Sequence, residues 1–403
     1  MRCGLLGRKL GHSYSPQIHR DLGDYSYILF EKEPDELCDF LKNGDFTGIN
    51  VTYPYKKDVI PYLDELSPLA QRLGAVNVIV RRNGKLIGHN TDYFGFASMV
   101  QKSGLDPRGK KCLVLGSGGA SNTAVAVLDK LGAQVTIISR SGENNYGNLH
   151  LHADAAIIVN ATPVGMYPNV GLSPVDLDLF PHLEGVLDVV YNPARTQLLL
   201  DAEKRGIVAM NGLWMLVAQA KEASEWFSDQ QVSDEIIAQI HTNLRAQMEN
   251  IVLIGMPGCG KSTVGKALAD KYGKQFTDAD ALIEEMAGKP IPEIFAKDGE
   301  EVFRAWETKA LEYLGKQSGL VIATGGGCVT KQRNYPLLHQ NGQIIWLQRS
   351  LELLPSDGRP LSQTHKISDM YAVRKGMYAQ FADQIIDNNS SISDTLEQIG
   401  ELL

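Results

Sequence analysis

The sequence predicts an α/β protein of more than one domain, with mostly parallel sheets flanked by helices. A length of 403 residues exceeds what a single hydrophobic core usually supports. Three segments each read as a short apolar strand, a glycine turn and a helix. The first is weak and lies at the start, where Leu5 and Leu6 precede Gly7; the others are KKCLVLGSGGASNTAVAVLDKLG and NIVLIGMPGCGKSTVGKALADKYG. Such alternation builds parallel sheets with helices on both faces. Hydrophobic residues at 43% and charged residues at 21% supply a core for each domain.

The elements then follow in order. After the second unit come the strands QVTIISR, AAIIVNAT and GVLDVVY, with RTQLLLDAEKRG as a helix. In DEIIAQIHTNLRAQ, Ile236, Ile237, Ile240 and Leu244 recur at helical spacing. Asn250 opens a new strand with almost no Pro, Gly or Ser before it, so the junction at residues 246 to 249 is not a floppy linker. The net charge of -8 argues against a nucleic-acid partner. No apolar run reaches membrane-spanning length, so no membrane partner is expected and the protein is placed in the cytoplasm. Five scattered cysteines without a CxxC pair suggest neither disulfides nor zinc. Nothing in the sequence fixes an oligomeric state.

GMPGCGKST, residues 255 to 263, satisfies GxxxxGK[ST] between a strand and a helix. Gly255, Gly258 and Gly260 let the backbone turn its N–H groups, with Thr263, toward ATP phosphates; Lys261 adds a positive charge, and Ser262 can ligand Mg2+. Three clusters follow. FTDADALIEE places Asp278 and Asp280 two apart at the end of an apparent strand. GEEVFRAWE puts Arg304 in a helix, and VIATGGGCV puts Gly325, Gly326 and Gly327 after a buried strand. Taken separately, the aspartates also read as helix caps, Arg304 as a surface arginine and the glycines as a turn.

GSGGAS, residues 116 to 121, sits between a strand and a helix, so Gly116, Gly118, Gly119 and Ala120 read as a Rossmann-type phosphate cradle. Where an NAD enzyme commonly carries a carboxylate at the end of the next strand, Ser139, Arg140 and Ser141 stand here. A guanidinium and hydroxyls suit a 2′-phosphate, hence NADP(H). Residues 1 to 100 hold Ser13 and Ser15 in GHSYSP, Asn50, Thr52 and Lys56 in GINVTYPYK, Asn77 in GAVN, and Asn90 and Asp92 in GHNTDYFGF. Their mixture of donors and acceptors suits a polyhydroxylated ligand, although each alone also reads as a turn or cap.

From residue 250 onward these motifs resemble shikimate kinase. The resemblance implies that Asp278 associates with magnesium, that Asp280 handles the substrate hydroxyl, that Arg304 and Arg374 (in RKGMY) bind the shikimate carboxylate, and that Gly326 and Gly327 contact substrate. GRPL resembles a lid and implies that Arg359 closes over the phosphates; the chain before it is several residues shorter than the family pattern. Residues 1 to about 245, including NATPVGM, DVVYNP and NGLWMLVAQA, resemble shikimate dehydrogenase. That likeness implies substrate ligands at Ser13, Ser15, Asn50, Thr52, Asn77, Asn90, Tyr191 and Gln219, and catalytic roles for Lys56 and Asp92.

Together the resemblances imply a substrate domain over 1–100 completed by helices within 213–245, a Rossmann-type NADP domain over 101–212, and a P-loop kinase domain with a parallel sheet over 249–403. They imply reduction of 3-dehydroshikimate to shikimate with NADPH, then phosphorylation of shikimate by ATP with Mg2+. The stretch from Arg140 to Asn160 is short for the family, which implies a trimmed helix and strand; Glu143 there does not favour NADP, and His150 and His152 read as part of a solvated loop. A dehydrogenase that also takes quinate with NAD and a chain with one active half stay open. A silent sensor is disfavoured because Lys56, Asp92, Lys261, Asp280 and Arg304 are all retained.

Overall fold

The computed structural model describes residues 1–11, 13–354 and 367–402. The chain forms two compact units. The first comprises Met1–Gly165, Ser173–Tyr191 and Leu198–Asn243; the second comprises Met166–Leu172, Asn192–Gln197 and Leu244–Leu403. Two short stretches of the segment expected to be purely cofactor-binding therefore belong to the second unit. Ala194 N donates to Asn341 Oδ1 at 2.8 Å, and Arg195 N to Gln340 O at 2.8 Å.

The first unit contains two sheets. One has β1 (Arg2–Gly7), β2 (Ser26–Glu31), β3 (Gly48–Val51), β4 (Glu65–Leu66), β5 (Val78–Arg82) and β6 (Lys85–His89) in the order β2-β1-β3-β5-β6-β4. β1 pairs in parallel with β2 and β3, whereas β5 runs antiparallel to both β3 and β6. Leu6, Leu41, Ile49, Tyr55 and Ile79 fill one core of this sheet. The helix Leu213–Ser228 crosses back to it, with Phe227 packed among Cys3, Val78 and Val80.

The other sheet is wholly parallel and consists of β7 (Lys111–Leu115), β8 (Gln134–Ile138), β9 (Ile157–Asn160), β10 (Gly185–Asp188) and β11 (Val208–Met210), in the order β11-β10-β9-β7-β8. This is the dinucleotide-binding order without its third strand. Between β8 and β9 there is one 3-10 turn, Leu149–His152, and no further α-helix or strand, as the short spacing predicts. His152 is buried and pairs through Nε2 with Asn144 Oδ1 at 3.0 Å, which corrects the expectation that both histidines lie in a solvated loop; His150 is exposed.

The second unit has one parallel sheet of β12 (Asn250–Ile254), β13 (Gln275–Asp278), β14 (Leu320–Ala323), β15 (Gly342–Gln348) and β16 (Gln384–Asp387), ordered β13-β14-β12-β15-β16. β12 is central and buried along its whole length, as its run NIVLI predicts. β12 pairs in parallel with β14 on one side and β15 on the other; β13 and β14 fill one side of it and β15 and β16 the other, so its C-terminal end is a topological switch point. The helix Glu235–Met248 ends one residue before β12. Among the described residues no helix is long and apolar enough to cross a membrane.

Candidate functional sites

In the first unit the sequence-predicted residues converge around Asn77. Lys56 Nζ lies 2.6 Å from Asp92 Oδ2, and the other oxygen of that carboxylate accepts from Asn77 Nδ2 at 3.0 Å. Asn77 Nδ2 also reaches Thr91 Oγ1 at 3.0 Å and Gln219 Oε1 at 3.5 Å, and its Oδ1 accepts the Thr91 N–H at 2.7 Å. Lys56 is one-third exposed and Asp92 mostly covered, so the ammonium is held by a carboxylate yet faces open space. Gly95 makes this convergence geometrically feasible. A Cβ there would stand 2.7 Å from Met215 O and 2.9 Å from Gln219 Cβ, so only glycine lets the helices Asp92–Ser103 and Leu213–Ser228 approach closely.

Asn50 is buried, accepts from the Tyr27 phenol at 2.7 Å and donates to Asn77 O at 3.4 Å. Ser13 Oγ accepts the Ser15 N–H at 3.2 Å, and Tyr14 between them meets Tyr191 edge-on at 6.4 Å. Thr52 is half-buried, with its N–H on Leu6 O at 2.9 Å. Asn90 is buried and uses its amide on Ala75 O at 3.0 Å, which ties down the loop before Asp92. Thr91, absent from the sequence reading, is fully buried and links Asn77 to Gln219.

At the end of β7, Gly118 caps the helix Gly119–Lys130, and a Cβ on Gly118 or Gly119 would meet nothing within 4 Å. The first N–H groups of that helix therefore open onto free space beside Ala120, as an anion requires. Gly116 has φ +110° and packs against Ala161 O, while Ser121 Oγ ties back to Gly116 O at 2.7 Å. Beyond β8, Ser139 borders the turn at Gly142, and Arg140 is exposed with no carboxylate partner among the described residues. Open helix N–H groups and an unengaged guanidinium fit a phosphorylated dinucleotide.

In the second unit the phosphate loop follows β12 and enters the helix Lys261–Tyr272. Lys261 is buried, with its Nζ on Gly255 O at 2.9 Å and Met256 O at 3.0 Å. The strand expectation for the aspartate pair is corrected: only Asp278 is in β13. Its side chain caps the helix Ala279–Ala287 by accepting from Asp280 N at 3.0 Å, and Asp280 lies in the first helical turn. The residues ALIEEM are good helix formers, so the capping aspartate ends the strand at once. Asp278 Oδ2 also accepts from Ser262 Oγ at 2.7 Å. A hydroxyl and a carboxylate at a phosphate-loop helix are hard oxygen donors of the kind Mg2+ uses alongside phosphate and water. No cluster of three His, Cys, Asp or Glu side chains suited to a metal occurs among the described residues.

A cavity of about 530 Å³ joins Gly258, Gly260, Lys261, Ser262 and Thr263 to Asp278, Asp280, Arg304, Gly325 to Gly327 and Arg374, with Ile291, Phe295 and Phe303 as an apolar wall. This volume suits a small polar ligand. Arg304, from the helix Glu300–Gly315, is nearly fully buried; its Nη1 donates to Glu307 Oε2 at 2.9 Å and its Nη2 to Glu300 Oε1 at 3.0 Å. Burial pushes the Glu307 carboxyl above the usual range, and Arg304 pulls it back. Arg374 Nη1 and the Tyr378 phenol both donate to Gly326 O. Cys328, fully buried, is pushed up to about 12 by burial and stays a thiol. Arg359 and its GRPL segment lie outside the described residues.

Sequence reading missed Glu307, Asn388 and Thr395. Asn388 Nδ2 donates to Cys259 O at 2.6 Å and is itself held by Thr395 Oγ1 at 2.7 Å, so the end of β16 supports the phosphate loop. Glu307 lay in the quoted motif at helical i,i+3 spacing from Arg304, a usable signal. Asn388 lies 129 residues from Cys259, and no local pattern links them.

Residues 257–403 match the shikimate kinase family, and residues 5–79 match the shikimate dehydrogenase substrate binding domain. A Clostridium perfringens protein named shikimate dehydrogenase (NADP(+)) is 36% identical over 267 residues, covering 60% of this chain and 98% of that protein. The crystal structure of shikimate dehydrogenase 1 from Peptoclostridium difficile is similar at a TM-score of 0.56 and 38% identity, covering 60% of this chain and 97% of that one. A chorismate mutase/shikimate 5-dehydrogenase fusion from Clostridium acetobutylicum is similar at a TM-score of 0.57 and 35% identity, covering 60% and 96%. With the dinucleotide cradle and Lys56–Asp92 in the first unit and the phosphate-loop cavity in the second, the chain belongs to the shikimate dehydrogenase family and carries a shikimate kinase domain after it.

Proposed function

We propose that the chain catalyses two consecutive steps: NADPH-dependent reduction of 3-dehydroshikimate to shikimate, then ATP-dependent phosphorylation of the shikimate 3-hydroxyl. Five unpaired cysteines suit a reducing compartment such as the cytoplasm. The observation that carries the reading is that each unit brings its reactive groups together, Lys56 with Asp92 in one and the phosphate loop with Asp280 and Arg304 in the other.

In the first step NADPH supplies the hydride to the C3 ketone. Lys56 stabilises and protonates the alkoxide that develops, and Asp92 holds the ammonium in place. Ser13, Ser15, Asn50, Thr52, Asn77, Tyr191 and Gln219 orient the ring, and Ser139 with Arg140 receives the 2′-phosphate. In the second step Arg304 and Arg374 hold the carboxylate, and Asp280 orients the 3-hydroxyl for in-line attack on the γ-phosphoryl group. Lys261 leaves its loop carbonyls to neutralise phosphate charge, and Ser262 and Asp278 would hold Mg2+, which offsets phosphate charge when bound. Reduction of the ketone creates the hydroxyl that the kinase needs.

Lys56→Ala and Lys261→Ala test the assignment. The first variant is expected to lose reduction and keep phosphorylation of supplied shikimate; the second is expected to do the reverse. A variant that keeps the step assigned to its lysine contradicts that role, and loss of both steps from either change contradicts two separate sites.

A further inference from the structure

We propose that Tyr27 is a positioning residue for the dehydrogenase: its phenol locks the Asn50 amide in the orientation that presents an N–H to the substrate. The proposal rests on the reading of Asn50 as a substrate ligand.

The sheet register sets up the contact. In β1, Cys3 pairs with Tyr27 of β2 and Leu5 pairs with Asn50 of β3. Side chains two apart on a strand share a face, so Tyr27 and Asn50 lie on one face with β1 between them. The long phenol spans that strand and meets Asn50 Oδ1 at 2.7 Å.

The amide orientation then follows from what each neighbour can do. Asn50 makes its other bond to the main-chain oxygen of Asn77 at 3.4 Å. A carbonyl oxygen only accepts, so Nδ2 must face Asn77. Oδ1 therefore faces Tyr27, and the phenol is the donor. Asn50 is left with its second N–H beside Asn77, the residue that reaches Asp92 at 3.0 Å.

Tyr27 is itself held by a buried ring. The His19 ring stacks on it with centroids 4.0 Å apart and planes 9° apart, and His19 Nδ1 pairs with the Tyr25 hydroxyl at 2.7 Å. His19 is fully buried. Tyr27 thus links His19 of the helix Ser15–Leu22 to Asn50 of β3, through a group that has no need to touch substrate.

The test uses the full chain with Tyr27→Phe, Asn50→Ala and the double variant, measuring KM for 3-dehydroshikimate, KM for NADPH, kcat and the thermal midpoint. One neutral hydrogen bond corresponds to a change of about two- to tenfold. Tyr27→Phe is expected to raise KM for 3-dehydroshikimate by that factor, with kcat and KM for NADPH unchanged. In the double variant KM should be no higher than in Asn50→Ala alone, because Tyr27 acts through that amide. Asn50→Asp keeps the oxygen that Tyr27 holds but removes the N–H, and should raise KM as far as Asn50→Ala does. A lowered thermal midpoint with unaltered KM in Tyr27→Phe, or effects that multiply in the double variant, would overturn the proposal. Unaltered KM in Asn50→Ala would remove the reading of Asn50 and the proposal with it.

Discussion

Replacing Gly327 with alanine should damage one substrate site and nothing else. Its backbone has φ -104° and ψ 0°, which any L residue can adopt, so the effect is purely one of space. The Arg304 guanidinium lies directly over it: a Cβ would stand 2.3 Å from Nη1 and 2.6 Å from Cζ, where ordinary contact begins at 3.4 Å. The guanidinium must withdraw by about 1 Å, the difference between those contact distances. That shift breaks a 2.9 Å bond to Glu307 in a pair whose side chains are 3% and 1% exposed. Glu307, already pushed upward by burial, then takes a proton rather than remain charged without a partner. A charge-assisted hydrogen bond contributes about 1.5–3 kcal/mol, so KM for shikimate should rise about ten- to a hundredfold. The assay compares KM for shikimate, KM for ATP and the rate of 3-dehydroshikimate reduction. A shikimate KM within about twofold of the parent, below the smallest loss from one such bond, would refute the role of Arg304.

Three further outcomes follow from the same geometry. Asn388→Ala removes the donor that holds Cys259 O and should raise KM for ATP about two- to tenfold without changing KM for shikimate, measured by ADP release. Asp278→Ala removes both a helix cap and the partner of Ser262; stability should fall by about 1 kcal/mol by urea unfolding, and half-maximal kinase activity should need more Mg2+. Burial lowers the His19 pKa from 6.5 to about 3, so the unfolded chain binds the extra proton in that window. Its contribution to stability is complete above pH 6.5 and is lost as pH falls toward 3, at roughly 1.4 kcal/mol per pH unit. His19→Gln should flatten the acid limb of a stability–pH curve by about that slope; an unchanged limb would contradict burial of a neutral imidazole.

The features that sequence reading captured are those whose chemistry is local. The phosphate loop lies between β12 and its helix because a glycine run with Lys261 needs those flanks, and the short path from Arg140 to β9 leaves room for only a 3-10 turn. The Asp278–Asp280 pair was misread because two-residue alternation assumes a continuing strand, whereas the capping tendency of aspartate before ALIEEM starts a helix. Convergence of Lys56, Asn77, Asp92 and Gln219 depends on the close approach of two helices at Gly95, and a lone glycine inside FGFAS carries no sign of its distant partner. Asn388, Thr91 and Tyr27 were invisible for the same reason: each acts across the sheet or between strand ends, where pairing is set by tertiary structure.

One chain should make shikimate and then phosphorylate it. Supplying 3-dehydroshikimate with NADPH, ATP and Mg2+ while following NADPH loss and ADP release separately tests it directly. NADPH loss should come first, with ADP release that requires it, and ADP release should be immediate when shikimate is supplied instead. NADPH loss without ADP release, persisting when authentic shikimate is added, would contradict the kinase half; ADP release from shikimate with no NADPH loss from 3-dehydroshikimate would contradict the dehydrogenase half.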